Sequence, residues 1–138
     1  MQKPDARYVL DSYALLVFFK RQPGWHEVQK LLSEAATSGE NLLMALINWG
    51  EVHYVTLRDR GQKDAEKVVQ VIDILPITIV SPDRAMTLQA GTFKALGGIA
   101  YPDCFAAALA AKENASVVTG DPEFKKLEKL GLVRVRWI

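Results

Sequence analysis

Cysteine is nearly absent from this chain: Cys104 is the single one in 138 residues. A lone thiol makes no internal disulfide, which excludes a disulfide-stapled scaffold and fits a reducing compartment. Also missing is any apolar run of about 18 residues, so no membrane span is expected. The opening stretch, MQKPDARYVLDSYALLVFF, carries Asp5 and Asp11 and lacks a small-residue cleavage pattern. It reads as strand then helix and not as a leader, and the expected location is the cytoplasm. Net charge is scarce too, at +1. No global basic field advertises nucleic acid, and any site for a polyanion must be local. No internal repeat, low-complexity tract or linker breaks the chain. Residues 1–138 are expected to form one domain with a real core.

What the chain does have is alternation of short apolar runs with helical periodicity. Residues 7–10 are β-prone and end in Asp11-Ser12; residues 14–19 read as a largely buried helix, broken at Pro23-Gly24. Val28, Leu31, Leu32 and Ala35 mark a helix over 25–38, stopped by Gly39. Strand 42–45 leads into helix 46–60, closed by Gly61, and an amphipathic helix covers 63–74. The β-branched run 77–80 reads as a central strand. Ser81-Pro82 predicts a cap followed by proline at the first helical position, with the helix running to about 96. Helix 102–112, strand 116–119, a turn at Asp121-Pro122, a short helix to 129 and strand 132–137 complete the chain. Arg134 and Arg136 alternate with apolar neighbours, the mark of an edge strand with one solvated face. Strands alternating with helices indicate an α/β sandwich around a mostly parallel sheet.

Against that frame four carboxylates stand out. Asp11 follows the first strand and Asp121 follows strand 116–119, where ligands of open α/β sheets sit. Each also has a plain explanation, as a helix cap and as an Asp-Pro turn. Asp103 lies in the first turn of a helix whose following residues, 105–111, are nearly all alanine. Such a face packs closely on a sheet and puts Asp103 at the core edge, although macrodipole complementation alone would favour an acid there. Glu51 lies inside a helix with Ile47 and Val55 four residues away on either side, so neither capping nor turn chemistry accounts for it. Two carboxylates about 4 Å apart repel by about 4 kcal/mol at an effective dielectric of 20. A cluster of four therefore needs raised pKa values or a bound cation. All-oxygen ligands select a hard ion, Mg²⁺ or Mn²⁺, over zinc. His26 and His53 fit no ligand pattern with these acids, and Cys104 reads as a small packing residue.

Four segments, VLDSYALL (9–16), INWGEVHY (47–54), YPDCFAAALA (101–110) and VVTGDPEFKKLE (117–128), together closely resemble PIN-domain ribonucleases. The nearest group is the toxin half of VapBC-type toxin–antitoxin pairs. The resemblance spans nearly the whole chain with its motifs in order. It implies a PIN-like three-layer α/β/α sandwich with a mostly parallel four- or five-stranded sheet. It further implies cleavage of RNA phosphodiesters with Mg²⁺ or Mn²⁺, leaving a 5′-phosphate and a 3′-hydroxyl. Asp11, Glu51, Asp103 and Asp121 would be the catalytic, metal-binding acids, with Asp11 and Asp103 as direct ligands. Ser12, Asn48 and Thr119 match supporting polar positions. A homodimer and a small antitoxin that occludes the acidic cleft are the implied partners. Tyr13 and Pro102 depart from the common pattern, at the substrate mouth. Lys20, Arg21, Trp25, Lys125 and Lys126 are candidate contacts to single-stranded or looped RNA.

Other readings differ in what they require. A phosphohydrolase using Asp11 as phosphoryl acceptor wants a second aspartate two residues later, where this chain has Tyr13. A receiver domain wants an acidic pair at the end of the first strand. A PIN nuclease of RNA processing without an antitoxin, and a non-catalytic nucleic-acid- or protein-binding module on the same fold, remain as alternatives.

Overall fold

The computed structural model describes residues 7–138, so the reading of residues 1–6 lies outside the described residues. Strand β1 (Tyr8–Leu10) is followed by helices α1 (Ser12–Lys20) and α2 (Trp25–Ser38). Strand β2 (Leu42–Ala45), helix α3 (Leu46–Arg60), helix α4 (Gln62–Ile74) and strand β3 (Ile77–Val80) come next. Helices α5 (Arg84–Ala95) and α6 (Tyr101–Lys112) lead to strand β4 (Ser116–Thr119). A single 3₁₀ turn (Pro122–Phe124), helix α7 (Lys125–Lys129) and strand β5 (Arg134–Trp137) complete the chain. The five strands form one sheet in the order β3-β2-β1-β4-β5, every pair parallel.

Alternation along the strands builds two cores. Val9, Leu43, Ala45 and Val117 face the side filled by α5, α6 and α7, with Phe93, Phe105, Phe124 and Leu127. Leu10, Leu42, Met44 and Val118 face the side filled by α1, α2 and α4, with Leu15, Leu31 and Ile72. This is a PIN-like α/β/α sandwich. Helix α3 packs against α1, α4 and α6 and so brings Glu51 towards the strand ends. Helix α6 is enclosed from Cys104 to Ala110; its alanines allow close approach to both the sheet and α5, as the run 105–111 predicts. Among the described residues no helix is long and apolar enough to cross a membrane.

Two local readings need correction. Helix α5 is not capped by Ser81 with Pro82 in its first turn. Asp83 is the cap, accepting the Met86 N–H at 2.8 Å. Its other oxygen lies 3.7 Å from Lys112 Nζ, an exposed contact, and the helix begins at Arg84, two residues beyond the proline. The edge strand β5 is also less solvated than its alternation implies. Arg136 pairs with Glu27 at 2.9 Å and lies over the Tyr8 ring, while Arg134 reaches Asn114.

Candidate metal centre

The chain runs outward from β1 to β2 and β3 on one side, then returns to β4 and β5 on the other. The switch of direction lies between β1 and β4, whose carboxyl ends carry Asp11 and Asp121. An open α/β sheet leaves a crevice at that point, because the connections diverge to opposite sides. Glu51 enters it from α3 and Asp103 from the first turn of α6.

Each acid is seated by identifiable contacts. Asp11 is fully buried. Its Oδ1 accepts the Ala14 N–H at 2.9 Å, the cap expected for α1, whereas its Oδ2 has no hydrogen-bond partner. One oxygen thus caps a helix, while the other is buried without a partner in full hydrogen-bond geometry, the Thr119 hydroxyl lying close enough only to ease its charge. Glu51 accepts the Ser12 hydroxyl at 2.7 Å, joining α1 to α3. Asn48 is buried and donates from Nδ2 to the Pro102 carbonyl at 3.1 Å, joining α3 to the start of α6. The buried Thr119 hydroxyl accepts the Asp121 N–H at 3.0 Å, and Asp121 in turn accepts the Glu123 N–H at 2.9 Å. Ser12, Asn48 and Thr119 therefore each tie one acid-bearing segment to its neighbour.

The electrostatics follow from this crowding. Burial is the main reason the Asp11 carboxyl is pushed up to about 7. The Thr119 hydroxyl and the Ala14 N–H hold it down, and the charges of Asp121 and Glu51 raise it further. Asp103 is also raised, by burial first and then by Asp11, Asp121, Glu51 and Glu123. Carboxylates whose charged forms are this unfavourable near neutral pH have a standing demand for a cation.

Glu123 is the residue that motif reasoning missed. Among the described residues, one group of three acids brings its carboxylate oxygens within 4.8 Å of one another, and it is Asp103, Asp121 and Glu123. Glu123 also accepts the Ala100 N–H at 2.6 Å, fastening the turn after β4 to the start of α6. In sequence it looks like an ordinary acid beginning a short helix. Its only signal is that it stands two residues from Asp121 in a turn too tight to separate them. This donor set is all carboxylate, and the unpartnered Oδ2 of Asp11 belongs to a further acid outside the group of three; oxygen donors of this kind fit a hard divalent cation.

The candidate RNA contacts scatter. Lys20, Arg21 and Trp25 lie at or beyond the far end of α1, about 13 Å along the helix from Asp11. There Arg21 stacks on Trp25 at 4.4 Å, while Lys20 lines a cavity of about 280 Å³ with Arg60 and Lys67. Lys126 donates to the Leu96 and Gly97 carbonyls and closes the end of α5. Lys125 alone stands near the crevice, 6.0 Å from the Trp137 ring centre. Burial pushes the Cys104 thiol up to about 11, so it is a packing group and not a nucleophile.

Comparison with known proteins agrees with this geometry. The family model described as PIN domain matches residues 8–130. Among solved structures, DNA-bound VapBC from Salmonella typhimurium is similar at 13% identity and TM-score 0.73, with 96% of this chain and 98% of that chain covered. VapC20 of Mycobacterium tuberculosis, described as a sarcin–ricin loop cleaving toxin, is similar at 14% identity and TM-score 0.71, covering 94% and 98%. VapBC-1 from nontypeable Haemophilus influenzae is similar at 19% identity and TM-score 0.67, covering 95% and 96%. A comparison with curated proteins found no match.

Proposed function

The chain belongs to the PIN-domain family, and from that premise we propose that it is a metal-dependent endoribonuclease and the toxin of a VapBC-type pair. The observation that carries the reading is the acid cluster at the switch point. The charges of Glu51 and Asp121 add to burial in raising the cost of ionising Asp11 and Asp103, and Asp11 Oδ2 is buried without a partner. A fold gains nothing from such an arrangement unless a cation completes it.

In this reading Asp11 and Asp103 hold Mg²⁺ or Mn²⁺ directly. Glu51, Asp121 and Glu123 complete its surroundings, directly or through water. When bound, the ion supplies an acidified water and neutralises charge developing at phosphorus and the leaving oxygen. The protein's own contribution is orientation. Ser12 fixes the Glu51 carboxylate, Thr119 fixes the turn that presents Asp121, and Asn48 keeps α3 and α6 in register. The enclosed helix α6 mounts Asp103 rigidly, so carboxylate positions change little when phosphate oxygens arrive.

The toxin assignment draws support from the structures this chain resembles, several of which are toxin–antitoxin complexes matched over nearly the whole of both chains. A small antitoxin covering the crevice, a homodimer and work in the cytoplasm go with that reading.

Incubating the purified chain, freed of any inhibitor, with total cellular RNA and Mg²⁺ or Mn²⁺ tests the enzyme. Cleavage is expected, and its loss in Asp11→Asn and Asp103→Asn chains that remain folded. Absence of cleavage of any RNA with either ion refutes it. Growth arrest on expression, relieved by Asp11→Asn, separates a toxin from a nuclease of RNA processing.

A further inference from the structure

Two aromatic side chains flank the Gly120-Asp121 turn and have no part in holding the acids. Tyr13 comes from α1. Its phenol end rests on Gly120 so closely that a Cβ there would lie 2.4 Å from Cε1 and 2.7 Å from the hydroxyl oxygen. A side chain at position 120 would push this ring from its seat. Trp137 comes from the end of β5, directly opposite Thr119 in the parallel register. Its indole N–H donates to both oxygens of Glu128 at 3.2 and 3.1 Å, which fixes the ring plane.

The two rings approach from opposite layers. Tyr13 belongs to the α1 side, while Trp137 shares a strand face with Val135, which packs into the core of α5, α6 and α7. Rings that merely sealed the sheet edge would be covered. Instead each is anchored on one side and more than a third exposed, 36% for Tyr13 and 37% for Trp137. The Lys125 ammonium stands over the Trp137 ring, 6.0 Å from its centre. A fixed, half-exposed aromatic loses little entropy when a base stacks on it, and every base offers a π-face.

We propose that Tyr13 and Trp137 are paired stacking platforms for the unpaired RNA bases on either side of the phosphate held at the acid cluster. The inference rests on the nuclease reading for the identity of the ligand. Tyr13 and Trp137 then select unpaired bases over duplex, since a paired base cannot leave its stack to reach them. Lys125 contributes backbone affinity without sequence preference.

The test reads binding and not turnover. Fluorescein-labelled single-stranded RNA of mixed sequence, and an abasic ribose-phosphate strand of equal length, are titrated with the intact chain. Ca²⁺ is present to neutralise the carboxylates, and a gel confirms that the strand stays whole. Tyr13→Leu and Trp137→Leu are each expected to weaken RNA binding about tenfold. Tyr13→Phe is expected to stay within about twofold of the native chain, Trp137→Phe, which loses the bond to Glu128, to fall between the native chain and Trp137→Leu, and the abasic strand to be bound equally weakly by all. Leucine variants that bind RNA as tightly as the native chain overturn the proposal. So does an abasic strand bound as tightly as RNA, or a native chain that binds no single-stranded RNA. If a leucine variant fails to fold, the abasic comparison on the native chain decides alone. A chain that shows the expected binding but cleaves nothing with Mg²⁺ or Mn²⁺ would sink the nuclease reading and leave the platforms standing. Cleavage with binding indifferent to both leucine changes would do the reverse.

Discussion

Replacing Asp11 by asparagine should make the metal-free protein more stable above neutral pH, although it removes a hydrogen-bonded, fully buried side chain. The folded protein holds the Asp11 proton to about pH 7, against an ordinary value of 3.8. Because the folded value is the higher one, the associated stability is complete below pH 3.8. It is lost as pH rises towards 7, where the native state must also ionise. At roughly 1.4 kcal/mol per pH unit, ionised Asp11 costs the native state about 4 kcal/mol. Asparagine keeps the oxygen that accepts the Ala14 N–H. It leaves its amide N–H₂ where Oδ2 had no partner, at a cost of about 1–3 kcal/mol. The variant should therefore be more stable than the native chain by about 1–3 kcal/mol at pH 8 and no more stable at pH 5. Urea unfolding in EDTA between pH 5 and 8, followed by far-UV circular dichroism, gives both slopes. Added Mg²⁺ or Mn²⁺ should reverse the ranking at pH 8 by stabilising the native chain only. A native chain whose stability rises from pH 5 to 8 as steeply as the variant's would refute the argument, because Asp11 would then be ionised in the folded state at little cost.

Three further outcomes follow from the same geometry. Gly120→Ala should cost about 1–3 kcal/mol through collision with Tyr13; combining it with Tyr13→Ala should recover most of that loss in thermal melts, and additive losses would show that the ring does not seat there. Glu123→Gln keeps an acceptor for the Ala100 N–H but removes a charge from the Asp103–Asp121–Glu123 group. It should weaken divalent-ion binding about tenfold or more by calorimetry without lowering the melting temperature, and unchanged affinity would remove Glu123 from the site. Ala107→Leu, inside the enclosed stretch of α6, should cost about 1–3 kcal/mol in denaturant unfolding; it should also depress cleavage by moving Asp103, and a stable, fully active variant would contradict the close-packed mount.

How legible the site was depended on whether a residue's neighbours are local or distant. Asp11 and Asp121 sit one residue or two past short β-prone runs, so a parallel sheet alone carries them to one edge. Asp103 is marked by the alanines behind it, and Glu51 by an apolar ridge it interrupts. Glu123 was passed over because nothing local distinguishes it from a solvated acid. Lys126 reads in sequence as a candidate RNA contact, and only the fold shows its ammonium closing the end of α5. Helix α5 begins two residues later than Ser81-Pro82 implies because Asp83, equally able to cap, is the residue that accepts the Met86 N–H.

By itself the sequence indicated the elements, their parallel arrangement and four candidate acids. Those follow from periodicity, turn chemistry and charge, which act over a few residues. Only the tertiary structure decided what the acids do to one another. Desolvation of Asp11, its orphaned oxygen, the entry of Glu123 and the seating of Tyr13 on Gly120 are products of packing between segments up to a hundred residues apart. Burial and Coulomb energy depend on distance in space, and no local pattern encodes that distance.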